Sequence, residues 1–148
     1  MKDKFRILTT VLFVMYLAVL MKLLIFRQGA MGFGGGNFVP LKTIFNYLDD
    51  APTLGIALRN LGGNIMIFVP LGFFIPLLHR TSKWKAVLII AFVASLTFEI
   101  IQGVFKVGIF DVDDILLNAL GAMIGYWVFV CIKSVVLKRQ TSFEKDRH

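Results

Sequence analysis

Cysteine is nearly absent from this chain: Cys131 stands alone, so no intrachain disulfide can staple it. Cys131 lies within the last apolar run and reads as a small buried apolar residue. Histidine is as scarce, His79 and His148 being the two. Neither has a second His or Cys at metal-ligand spacing, which excludes the usual zinc frameworks and makes His79 an interfacial residue. No Ser/His/Asp arrangement and no Walker loop occurs. Charge is thin as well, with 17% of the 148 residues Asp, Glu, Lys or Arg against 57% hydrophobic and a mean hydropathy of +0.79. That balance excludes an ordinary soluble domain.

What the sequence has is long apolar runs. A hydrocarbon core takes about 20 apolar residues to cross as a helix, and four runs qualify, at about 7–26, 61–78, 86–105 and 115–137. The expected fold is therefore an all-α integral membrane helical bundle of four transmembrane helices, with residues 1–148 forming one domain. Lys2, Lys4 and Arg6 precede the first run as in a signal peptide, but the run is long for one. Phe26-Arg27-Gln28 is not a small-residue cleavage site, so the run is retained as a span. Pro70 and Pro76 predict a bent second span, since proline removes a backbone donor.

Between the first two spans, Gly32, Gly34, Gly35 and Gly36 match no phosphate-binding fingerprint, because no strand is expected before them. The reading is a flexible connector. Residues 41–48 and 53–58 mix apolar with polar side chains and predict short helices in the interface or re-entering the membrane. In the fourth span Asn118, Gly121, Ala122 and Gly125 make a small-residue stripe, a face for close helix packing. The tail from residue 138 is polar, without apolar periodicity, and predicts poor order.

The net charge of +7 does not point to nucleic acid, because the basic residues flank apolar runs rather than interleave with aromatics. They orient the chain. The N-terminus, the 79–85 turn and the C-terminal end are rich in Lys and Arg, whereas the other side holds Arg27, Lys42, Arg59 and Lys106. The positive-inside rule places both termini in the cytoplasm and the Asp-rich turn near 111–114 outside.

The chemistry concentrates in residues 98–125, where Glu99, Gln102, Asp111, Asp113, Asp114 and Asn118 stand between apolar runs. Ionisable groups are expensive in hydrocarbon and mark functional sites. Glu99 and Gln102 share a helix face, as do Asp111, Asp114 and Asn118. Lys22, Asn60 and Asn64 fall at the same depth, within about two turns or 10 Å of the outer helix ends. The spans should thus enclose an outward-facing polar cavity, with Glu99 and Asn118 deepest. Its ligand-binding candidates are Asn60, Asn64, Glu99, Gln102, Asp111, Asp114 and Asn118, and Glu99, Asp111 and Asp114 are the candidates for acid, base or metal-ligand work.

Each residue also has a structural reading. Asp113 or Asp114 can cap the fourth helix, Glu99 can pair with Lys22 or stay protonated, and Asn64 and Asn118 can bridge helices. No metal and no cofactor is expected; Mg²⁺ or Ca²⁺ at Asp111 and Asp114 is the alternative, although the spacing lacks the EF-hand pattern.

Three segments together resemble the VanZ-like family of small bacterial membrane proteins, named for a teicoplanin-resistance protein. They are Asn37-Phe-Val-Pro-Leu-Lys-Thr-Ile; Asn60 through Asn64-Ile-Met-Ile-Phe-Val-Pro-Leu-Gly72; and Glu99-Ile-Ile-Gln102 with Phe110-Asp-Val-Asp-Asp-Ile-Leu-Leu-Asn118-Ala-Leu-Gly121. Where members carry an arginine shortly before the first Asp, this chain has Gly108 and Ile109, with Lys106 the nearest cation. The resemblance implies a multi-pass protein of the bacterial cytoplasmic membrane linked to glycopeptide resistance. Its partners would be membrane lipids and a lipid-linked cell-wall precursor or an acylated glycopeptide. Two alternatives stand beside an envelope factor: an intramembrane enzyme using paired carboxylates on a lipid-linked substrate, and a small carrier. The first two spans do not repeat in the last two, which counts against the carrier.

Overall fold

The computed structural model describes residues 2–25, 32–49, 53–79 and 83–145. The boundary at Arg27 and Gln28, Gly29, Arg80 in the basic turn, and the last three residues lie outside these. The elements in order are α1 (Lys2–Ile25), β1 (Gly32–Asn37), α2 (Lys42–Asp49), α3 (Leu54–His79), α4 (Trp84–Phe105), β2 (Ile109–Asp111) and α5 (Val112–Lys145). Helices α1, α3, α4 and α5 are each long and apolar enough to cross a membrane.

Two boundaries move from those expected. Helix α3 begins at Leu54, so residues 53–58 are its first turns rather than a separate interfacial helix. Thr53 starts it, its hydroxyl and carbonyl both accepting the Ile56 amide at 3.3 and 3.0 Å. Arg59 and Asn60 lower the local hydropathy and hide this start. The helix then continues through Pro70 and Pro76. At the other end of the chain α5 runs on to Lys145, so the tail from residue 138 is largely helical. Cys131, expected to be buried, is exposed on α5.

The core forms where α5 packs on α3. Leu20, Phe68, Leu71, Ile75, Val87, Ala91, Ala122 and Tyr126 are its buried members. The small-residue stripe is what lets the two backbones meet. A Cβ on Gly121 would strike the Ile65 carbonyl, one on Gly125 the Val69 carbonyl, and one on Gly72 the Ala122 carbonyl. Helix α1 leans on α3 in antiparallel fashion, the Tyr16 hydroxyl donating to the Ile67 carbonyl at 2.8 Å and the Phe13 ring lying 5.5 Å from Phe74.

The glycine-rich stretch is not a flexible connector. Gly32 to Asn37 is a strand, parallel to β2 with Gly32 opposite Ile109 and Asn37 opposite Asp111. Its glycines serve close approach: Gly32 takes a φ of +56°, and a Cβ there would strike the Gly103 carbonyl of α4. Phe33 lies over Gly103 and stacks with Phe38 and Phe110 to cover the strand pair. Helix α2 follows as the expected short helix, with Phe45 and Leu48 exposed. The strands, α2 and the N-terminus of α5 thus cap one end of the bundle.

Candidate functional site

The cap is tied by carboxylates at the start of α5. Asp111 is the N-cap, its Oδ1 accepting the Asp113 amide at 2.9 Å. This corrects the assignment of that role to Asp113 or Asp114. Asp113 is fully buried and caps a different helix: its carboxylate accepts the amides of Leu41 at 2.5 Å, Thr43 at 2.7 Å and Ile44 at 3.2 Å. These are the orphan donors at the N-terminus of α2, so a negative charge meets the positive end of that helix. The bonds also hold Leu41 at a φ of 69°, a left-handed conformation unfavourable for a leucine.

Asn37 closes the knot. Its Nδ2 donates to Asp111 Oδ1 at 2.9 Å and Thr43 Oγ1 at 3.1 Å, with a longer contact to Asp113 Oδ2 at 3.4 Å. Its Oδ1 accepts the Val39 amide at 3.0 Å, an Asx turn that starts the chain toward α2.

Glu99 works from behind. Only 2% exposed, it accepts the Asp111 amide on Oε2 at 2.8 Å, which sets the end of β2 and hence the Asp111 side chain. Its expected alternative partner, Lys22, is exposed on α1 and does not share this site. Gln102 is buried one turn further along α4, directly beneath Gly108, where a Cβ would come within 3.0 Å of its amide carbon.

A cavity of about 300 Å³ opens between α2, α3 and the β2 to α5 turn, lined by Asn60, Asn64, Asp111 and Asp114 together with Thr43, Tyr47, Leu61, Gly108 and Ile109. Four of the seven binding candidates therefore meet around one space. The Asn64 amide donates to Asp114 Oδ1 across the α3 to α5 seam, and Asn60 donates back to the Ile56 carbonyl of its own helix at 3.1 Å. Asp111 commits Oδ1 to Asn37 and Asp113, and its Oδ2 has no partner among the described residues.

Glu99, Gln102 and Asn118 do not line this cavity; expected at its deepest point, Glu99 and Asn118 instead stand in the wall. Asn118 donates to Ser95 Oγ of α4 at 2.8 Å, and its Oδ1 is buried without a partner among the described residues. Asn37, Thr43, Tyr47 and the α2-capping role of Asp113 escaped the residue-by-residue reading. Their signal was the polar Asn37-x-x-x-x-x-Thr43 spacing before an apolar run, which marks a helix start without saying whose carboxylate completes it.

A family model described as VanZ/LLP1 matches residues 13 to 134. Protein VanZ of Enterococcus faecium is 28% identical over 125 residues, a match covering 81% of this chain and 72% of that protein. No solved structure matches the chain.

Proposed function

The chain belongs to the VanZ-like family and is a multi-pass membrane protein, and from that premise we propose that it lowers susceptibility to lipid-tailed glycopeptides by engaging an amphiphile in the outer leaflet of the bacterial cytoplasmic membrane. The observation that carries this reading is the cavity at the capped end of the bundle, where two carboxylates and two amides face one space within reach of a headgroup. The Lys and Arg of the N-terminus and the C-terminal end favour a cytoplasmic location for both, which turns the cavity outward. Teicoplanin differs from vancomycin in carrying an acyl chain, which partitions into a bilayer with about 0.8 kcal/mol per buried CH₂. Drug tail and cavity then share a leaflet.

Expression in a susceptible Gram-positive host should raise tolerance to teicoplanin more than to vancomycin, with drug recovered unaltered. Equal shifts for both drugs, or none with well-inserted protein, would remove this reading. Degraded drug would favour the second one, an intramembrane enzyme. That alternative draws on Asp111 and Asp114 facing the same cavity, a pair suited to acid and base roles if the environment separates them.

A further inference from the structure

Among the described residues nothing packs closely against two glycines of α3, Gly62 and Gly63. In the middle of a helix glycine is less favourable than alanine. At Gly72, Gly121 and Gly125 close backbone contact explains the choice, whereas a Cβ on Gly62 or Gly63 would meet no described atom within 4 Å. The space beside Gly63 is a groove of about 490 Å³ between α1 and α3, lined by Leu23, Arg59, Asn60, Gly63, Asn64, Met66 and Ile67. Arg59, Gly63 and Met66 or Ile67 fall on one stripe of α3 at i, i+4 and i+7 or i+8. The groove is therefore cationic at the cap end and apolar toward the membrane interior.

Groove and polar cavity share Asn60 and Asn64. Along α3 the apolar Met66 and Ile67 give way toward the cap end to the exposed Arg59, and Asn60 and Asn64 on the adjacent stripe stand between that groove and Asp111 and Asp114. A molecule matching this arrangement has an acyl chain, a phosphate and a cationic headgroup in that order. We propose that groove and cavity form one site for a phospholipid whose headgroup carries a primary amine, with a chain over Gly63, the phosphate at Arg59 and the ammonium at Asp111 and Asp114. The assignment rests on the preceding reading of the cavity as an amphiphile site and names its ligand class. Arg59 is suited to the phosphate, and Asp111 Oδ2, without a protein partner among the described residues, is suited to the ammonium.

The test uses the full chain, delipidated in detergent, and native mass spectrometry with three probes of equal chain length: phosphatidylethanolamine, its N-acetylated derivative and phosphatidylglycerol. The amine lipid should be retained about tenfold more tightly than the other two. Gly63→Leu should reduce retention of all three, and since no described atom lies within 4 Å of its Cβ, helix content should be kept and thermal stability be unchanged or raised by the better helix propensity. Asp111→Asn with Asp114→Asn should abolish the preference while keeping retention, and Arg59→Gln should weaken all three. Equal retention of the N-acetylated lipid, or retention indifferent to Gly63→Leu, would overturn the assignment. Teicoplanin tolerance measured on the same variants separates the two readings: amine preference with no effect of Gly63→Leu on tolerance upholds the lipid site and removes the resistance role, whereas tolerance lost in Gly63→Leu without amine preference overturns the lipid class alone.

Discussion

Asn37 and Asp111 stand 74 residues apart in the chain and are joined by a 2.9 Å hydrogen bond from Nδ2 to Oδ1. Through it the end of β1 is locked to the N-cap of α5, and the same asparagine side chain turns the chain into α2. The cavity wall therefore depends on one amide. Asn37→Ala removes both the donor and the Asx turn, and should lower stability by about 1–3 kcal/mol. Thermal unfolding in detergent reads this, and an unchanged midpoint would mean the knot contributes nothing.

Asp113 should be the most sensitive carboxylate for folding, because its buried side chain serves three backbone amides at once. Asp113→Ala strands those donors and leaves Leu41 held in a left-handed conformation without support, a loss of about 3 kcal/mol or more. Asp113→Asn retains one acceptor oxygen and should fall between. The amount of protein in the membrane, compared across the three chains, would run in that order; equal amounts would count against the capping role.

Asp114 should behave in the opposite manner. It faces the cavity while bonded to Asn64, so Asp114→Asn preserves shape and removes charge. Teicoplanin tolerance should be lost at near-normal membrane levels. Glu99→Gln keeps an acceptor for the Asp111 amide and should likewise preserve the protein level while impairing function through the position of Asp111. Disappearance of either variant from the membrane would assign that residue to structure.

The glycines of α3 and α5 divide sharply. Gly121→Leu or Gly125→Leu must push α5 off the carbonyls of α3, which overpacks the core and should deplete the protein. Gly62→Ala adds a methyl into open space and should be neutral or stabilising by up to about 1 kcal/mol. Comparing thermal midpoints of the three variants checks the contrast.

Orientation is tested with cysteines at Gly35 and Ile109, both exposed at the capped end, in a Cys131→Ala background. An impermeant thiol reagent should label both in intact cells. Labelling at Ser82 in their place would invert the topology.

Local chemistry made part of this protein legible from its residues alone. Hydropathy located four spans, because the requirement to cross hydrocarbon acts on each run independently. Helical spacing picked out the Gly121, Ala122 and Gly125 face, and depth brought Asn60, Asn64, Asp111 and Asp114 together, since both follow from a fixed rise per residue. Tertiary structure decided what depends on a partner far along the chain. Gly32 to Asn37 became a strand because β2 and Gly103 offered it a place, which no alternation of side chains could announce in a run of glycines. Asp113 capped α2 in preference to its own helix because Asp111 already held the Asp113 amide and the free amides of residues 41, 43 and 44 lay opposite. Glu99, Gln102 and Asn118 share a depth with the cavity residues but point into the wall, for depth is set by position along a helix, while facing is set by how that helix is rotated against its neighbours.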